Sequence, residues 1–71
     1  MKERIINHIK EYRIRRGITQ EELAKKVGVS RQSIISIEKE HYIPSLPLAL
    51  KIAEFFHCPV EKIFKRKEVK P

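Results

Sequence analysis

Between Arg31 and Lys39 the chain reads RQSIISIEK, and these side chains, at this spacing, suit recognition better than bond-making. At about 100° per residue, Gln32, Ile35, Ser36 and Lys39 share one side of a helix with Arg31 on its leading flank, while Ile34, Ile37 and Glu38 share the other. The first side is polar and carries no acid. Arginine and glutamine pair bidentately with guanine and adenine edges in the major groove, and an isoleucine can touch a thymine methyl. A helix with this outer face is equipped to read duplex DNA.

Catalytic and metal-binding chemistry is poorly represented. His57 and Cys58 are adjacent, His8 and His41 lie far from them in sequence, and no second cysteine or spaced histidine cluster accompanies them. No metal or other cofactor is therefore expected, and Cys58 reads as a small apolar residue beside Pro59. There is no phosphate-cradling glycine loop and no recognisable Ser–His–acid nucleophile motif, so no enzymatic activity is expected.

The elements that must hold the outer face in place have clear local signals. Thr19 and Glu22 form a capping-box pair that opens one helix, in which Leu23, Ala24 and Val27 repeat at helical spacing. Gly28 follows where a chain leaving a helix most often turns left-handed. Val29 packs beneath the turn and Ser30 caps the next helix, whose third residue, Ser33, is not an acid that would repel phosphate. Gln20 lies just inside the positive N-terminus of the first of these helices, where free backbone N–H groups make an anion site.

The pattern T-Q-E-E-L-A-x-x-x-G-V-S-R-Q-x-I-x-x-I-E, Thr19 to Glu38, resembles the helix-turn-helix of the phage-repressor and Cro-like (XRE-type) DNA-binding family. The similarity continues through Pro44-Ser45-Leu46, the run from Leu48 to Ala53, and Val60 to Phe64, covering about residues 6 to 64. It implies an all-α, compact five-helix lambda-repressor-like fold, with helices 2 and 3 as the helix-turn-helix, and a transcriptional regulator that binds double-stranded DNA. By the same resemblance Arg31, Gln32 and Ser36 fall on base-contacting positions, to which the helical projection adds Ile35. Gln20 and Ser33 fall on phosphate-contacting positions, and Lys39 and Tyr42 are further phosphate candidates around the following loop. Arg13 and Glu38 are implied to form a structural ion pair. The family usually places glycine at the position of Glu40, so either helix 3 runs on or Glu40 takes a left-handed backbone.

The remaining chain supplies the frame. Residues 2–16 are expected to form helix 1, with Ile5, Ile9 and Tyr12 at helical spacing, Arg13, Arg15 and Arg16 complementing its negative end, and Gly17 ending it. Ser45 caps helix 4, where Pro47 is tolerated in the first turn and Leu46, Ala49, Leu50, Ala53 and Phe56 are expected to form the buried stripe. Leu48, Ile52 and Phe55 occupy a neighbouring arc, leaving apolar surface for helix 5 at Val60–Phe64 or for a second copy of the chain. Cro-like domains commonly dimerise there, so a homodimer through the helix 4 to helix 5 region is expected.

With 71 residues the chain makes one domain, its core about 3–65 and its basic tail 66–71 expected to be a flexible, solvated end. Sixteen Lys and Arg against nine acids give a formal charge of +7, the electrostatic footprint of a protein that meets polyphosphate. One cysteine excludes an internal disulfide, and the lack of a signal peptide or of an apolar run of about 20 residues leads to a cytoplasmic expectation, with no membrane and no small-molecule ligand. The competing expectation is a protein-interaction module of the same fold, an antitoxin or adaptor, with DNA contact secondary.

Overall fold

The computed structural model describes residues 2–69. Its elements run β1 Lys2–Asn7, α1 Ile9–Arg16, α2 Gln20–Val27, α3 Arg31–Glu38, α4 Leu46–Phe55, α5 Val60–Ile63 and β2 Phe64–Val69. The five helices of the lambda-repressor-like arrangement are all present, with α2 and α3 as the helix-turn-helix. To them is added a two-stranded antiparallel ribbon in which Arg4 faces Lys67, Ile6 faces Lys65 and Asn7 faces Phe64.

Two expectations are corrected by the ribbon. Helix 1 does not begin at residue 2: the first six described residues are strand, and the helix starts at Ile9. Ile5 and Ile6 are β-branched and suit an extended chain, and the ribbon is tied to the helices where the His8 N–H donates to the Ile63 carbonyl at 2.9 Å. The basic segment after Phe64 is not a solvated end as far as Val69, because β1 supplies its backbone partners; residues 70 and 71 lie outside the described residues.

Ile9, Leu23, Ala24, Val27, Ile34, Ile37, Leu48, Ile52, Ala53, Phe56 and Ile63 form one buried cluster, with contributions from all five helices. Within α4 the buried stripe is rotated from the expected one. Leu48, Ala49, Ile52, Ala53 and Phe56 face inward, whereas Leu46 and Leu50 are 67% and 49% exposed. Arg15 and Arg16 do more than meet a helix end: Arg15 lies 5.4 Å from the Tyr12 ring centroid and Arg16 lies 5.2 Å from that of Phe55, where a guanidinium is attracted to the negative face of the ring.

Among the described residues two that are not glycine have left-handed backbones, Glu40 (φ 63°) and His57 (φ 56°), and both end helices. The Glu40 N–H donates to the Ile37 carbonyl at 2.9 Å and the His41 N–H to the Ser36 carbonyl at 2.9 Å, the double bond pattern of a Schellman ending. His57 and Cys58 repeat it on α4 through the Glu54 and Ala53 carbonyls, at 3.0 and 3.1 Å. His57 therefore has a structural role as a helix terminator, and Cys58 packs against the core. Among the described residues no group of three or more His, Cys, Asp or Glu is placed to hold a metal, and no helix is long and apolar enough to cross a membrane.

Candidate nucleic-acid interface

The helix-turn-helix is pinned at each of its corners. The Glu22 N–H donates to Thr19 Oγ1 at 3.0 Å and the Thr19 N–H to Glu22 Oε1 at 2.8 Å, closing the capping box. The Thr19 backbone N–H first, and the Thr19 hydroxyl second, lower the Glu22 carboxyl pKa from its ordinary value. Gly28 adopts φ 79° and its N–H, with that of Val29, closes on the Ala24 carbonyl. Ser30 Oγ then accepts from the Ser33 N–H at 3.1 Å and opens α3. Each bond is local, so a few residues of sequence suffice to specify the turn.

Rotation of α3 about its axis is set from inside. Ile34 and Ile37 are fully buried, and Glu38 accepts Arg13 Nε at 2.8 Å, Arg13 Nη2 at 3.3 Å and Gln20 Nε2 at 3.2 Å. Arg13 Nη1 also donates to the Ile18 carbonyl at 3.1 Å, so one guanidinium ties α1, the α1–α2 loop and α3 together. Side-chain exposures of 12% for Arg13 and 6% for Glu38 put this pair in the partly desolvated regime, where breaking it is costly.

With the inner face held, Arg31, Gln32 and Lys39 are exposed and Ile35 and Ser36 half-buried on the outer one. Two hollows flank this ridge. On one side is an open cleft of about 550 Å³ lined by Lys10, Thr19, Gln20, Ile35 and Lys39, with Arg13 and Glu38 at its floor. On the other, Ser30, Gln32, Ser33, Ser36 and Tyr42 line a shallower hollow. Ile35 borders the larger cleft together with Gln20 and Lys39, and Gln32 and Ser36 border the shallower one together with Ser33 and Tyr42, so each hollow brings positions singled out for bases next to positions singled out for phosphates. Gln20 is partly engaged, one amide hydrogen going to Glu38 Oε1 at 3.2 Å. Ser33 has its hydroxyl 3.1 Å from that of Ser30, and Tyr42 is 44% exposed.

Some contributors were not singled out from the sequence. Lys10 sits beside Gln20 and Lys39 in the larger cleft, and its signal was its position three residues before Arg13, on the same helical face. Asn7 and Arg4 reach the C-terminal end of α3 from β1, the former donating to the Ile37 carbonyl at 2.8 Å and the latter to Glu40 Oε1 at 2.8 Å. Neither has a local signal. The Arg4–Glu40 pair is exposed, worth about 0.2–1 kcal/mol, against about 1–2 kcal/mol for a left-handed backbone on a residue with a Cβ. The strain is the larger of the two, so net stability does not explain a glutamate at position 40.

A helix-turn-helix family model matches residues 9–63. A Methanocaldococcus jannaschii protein described as an uncharacterized helix-turn-helix-type transcriptional regulator is 60% identical over 58 residues, which are 82% of this chain and 88% of that protein. A Bacillus subtilis protein of the same description is 50% identical over 58 residues, with the same coverage of 82% and 88%. The Vibrio cholerae cryptic phage CTXphi transcriptional repressor is 30% identical over 60 residues, 84% of this chain and 54% of its own length. A crystal structure from Bacteroides fragilis superposes with a TM-score of 0.77 at 24% identity, covering 86% of this chain and 98% of the other, and shares the fold.

Proposed function

Because this chain belongs to the helix-turn-helix family of DNA-binding transcriptional regulators, we propose that it reads a specific duplex sequence as a homodimer and represses transcription by occluding a promoter. The observation that carries this reading is the outer face of α3: Arg31, Gln32, Ile35 and Ser36 form a strip without an acid, and the last three border the two hollows. Inserted into a major groove about 12 Å wide, the ridge would meet base edges while Gln20, Ser33, Lys39 and Tyr42 meet the flanking phosphates. The charge of +7 supplies long-range attraction and a strong salt dependence. Gln32→Ala tests the reading: specific binding weakens by about 1–3 kcal/mol and base preference changes at one position of the half-site. An unchanged preference at every position would remove Gln32 from the reading face.

The homodimer rests on a second surface. Ile43, Leu46 and Leu50 are 62%, 67% and 49% exposed, Leu46 and Leu50 one turn apart on α4 and Ile43 just before it. A two-fold pairing through the α4 to α5 region would cover them and set two copies of α3 about 34 Å apart. Leu50→Lys is expected to leave the melting temperature of the folded chain nearly unchanged while shifting sedimentation to the monomer. Sedimentation identical to the parent chain would place any dimer contact elsewhere, and a monomeric parent that co-purifies with another gene product would favour the interaction-module reading.

A further inference from the structure

The C-terminal turn of α3 is gripped by a strand from the far end of the chain. Asn7 spans two helices, its Nδ2 donating to the Ile37 carbonyl at 2.8 Å and its Oδ1 accepting from the Ile9 N–H at 3.3 Å. Three residues earlier, Arg4 Nη2 lies 2.8 Å from Glu40 Oε1, the first residue beyond the α3 cap. A glycine at position 40 would accept the same left-handed backbone without its strain, and the Schellman bonds use only backbone atoms. What glycine lacks is the carboxylate. A strained residue present at no net gain in stability points to a geometric role.

Building on the DNA-reading proposal, we infer that Asn7, Arg4 and Glu40 are positioning residues for base recognition. β1 clamps the last turn of α3 and the start of the following loop, the part that carries Ser36, Lys39 and Tyr42, and so sets the angle at which the ridge enters the groove. The first turn, with Arg31 and Gln32, is held separately by the Ser30 cap. Loosening the clamp therefore costs discrimination chiefly at base pairs met by the C-terminal half of the ridge.

The test uses the full chain and the variants Asn7→Ala, Arg4→Gln and Glu40→Gly, with the best-bound duplex, its single-base variants and an unrelated duplex as probes. In Asn7→Ala and Arg4→Gln, amide exchange at Lys39, Glu40 and His41 should accelerate about fivefold while Leu23 to Val27 stay as in the parent. Discrimination among the single-base variants should fall by a similar factor, with affinity for the unrelated duplex and its salt slope unchanged. Glu40→Gly separates positioning from stability: it should melt at or above the parent temperature and still lose discrimination. Discrimination that simply follows melting temperature, or that survives in all three variants, would overturn the clamp. A parent chain that prefers no duplex would instead overturn the DNA reading on which it rests.

Discussion

The helix-turn-helix and the β-ribbon are built from bonds of different reach. Thr19 to Glu22, Gly28 to Ala24 and Ser30 to Ser33 close within four residues, whereas Arg4 pairs in register with Lys67 and Asn7 with Phe64. Local bonds make the turn a property of a short segment, which forms the same corner in many surroundings. The ribbon exists only when the two ends of the chain have been brought together, and a two-stranded ribbon alone is marginal in water. Helix α3 lies between the two regimes, its first turn set locally and its last turn held from the ribbon.

The most damaging way to break this arrangement is to remove the group at its centre. Glu38→Ala strands Arg13 and Gln20 and should cost about 3–5 kcal/mol, seen in a thermal melt as a fall of more than about 10 °C. A fall of only two or three degrees would mean that the three helices are joined by packing alone. Deleting residues 65–71 should act more gently. It takes away the partner of β1 but leaves the buried Ile63, so the chain should remain folded, melt a few degrees lower and keep exchange protection in α2. Equal loss of protection in α2 and β1 would show that ribbon and helices form one cooperative unit.

The smallest effect concerns the local end of the comparison. Folding lowers the Glu22 carboxyl pKa from its ordinary value of 4.5, so the capping box contributes fully above that pH and its contribution is lost as pH falls through the lower, folded value. Glu22→Gln keeps a hydrogen-bond acceptor without the titration, and should flatten the acid limb of melting temperature against pH while leaving the neutral plateau nearly unchanged. An acid limb of identical slope would count against this contribution from Glu22.

The same difference in reach decides what could be seen in the sequence. Thr19, Gly28 and Ser30 announce their own bonds, and the family resemblance implied the Arg13–Glu38 contact that the structure contains at 2.8 Å. Ile5, Ile9 and Tyr12 also fit a helical period, and nothing within residues 2–7 shows that a strand partner waits at 64–69, so the sequence alone points to a helix start for β1 and a solvated tail for most of β2. The contacts that Asn7 and Arg4 make with the end of α3 are hidden with the ribbon. Helix α4 failed differently: it is apolar around most of its circumference, and its neighbours, not its periodicity, decide that Leu48 and Ile52 turn inward while Leu46 and Leu50 do not. Glu40 departed from the glycine usual in the family, and of the two outcomes left open it takes the left-handed backbone.

The most direct test of base reading by α3 is selection of tight-binding duplexes from a random pool at near-physiological salt, where nonspecific attraction is suppressed. A palindrome with half-sites about 10 base pairs apart, centre to centre, is expected from a two-fold pair of recognition helices. A single motif without symmetry would keep the base-reading face and remove the symmetric dimer. A pool that emerges without enrichment would contradict base reading by Arg31, Gln32, Ile35 and Ser36 and leave the positive charge as nonspecific affinity alone.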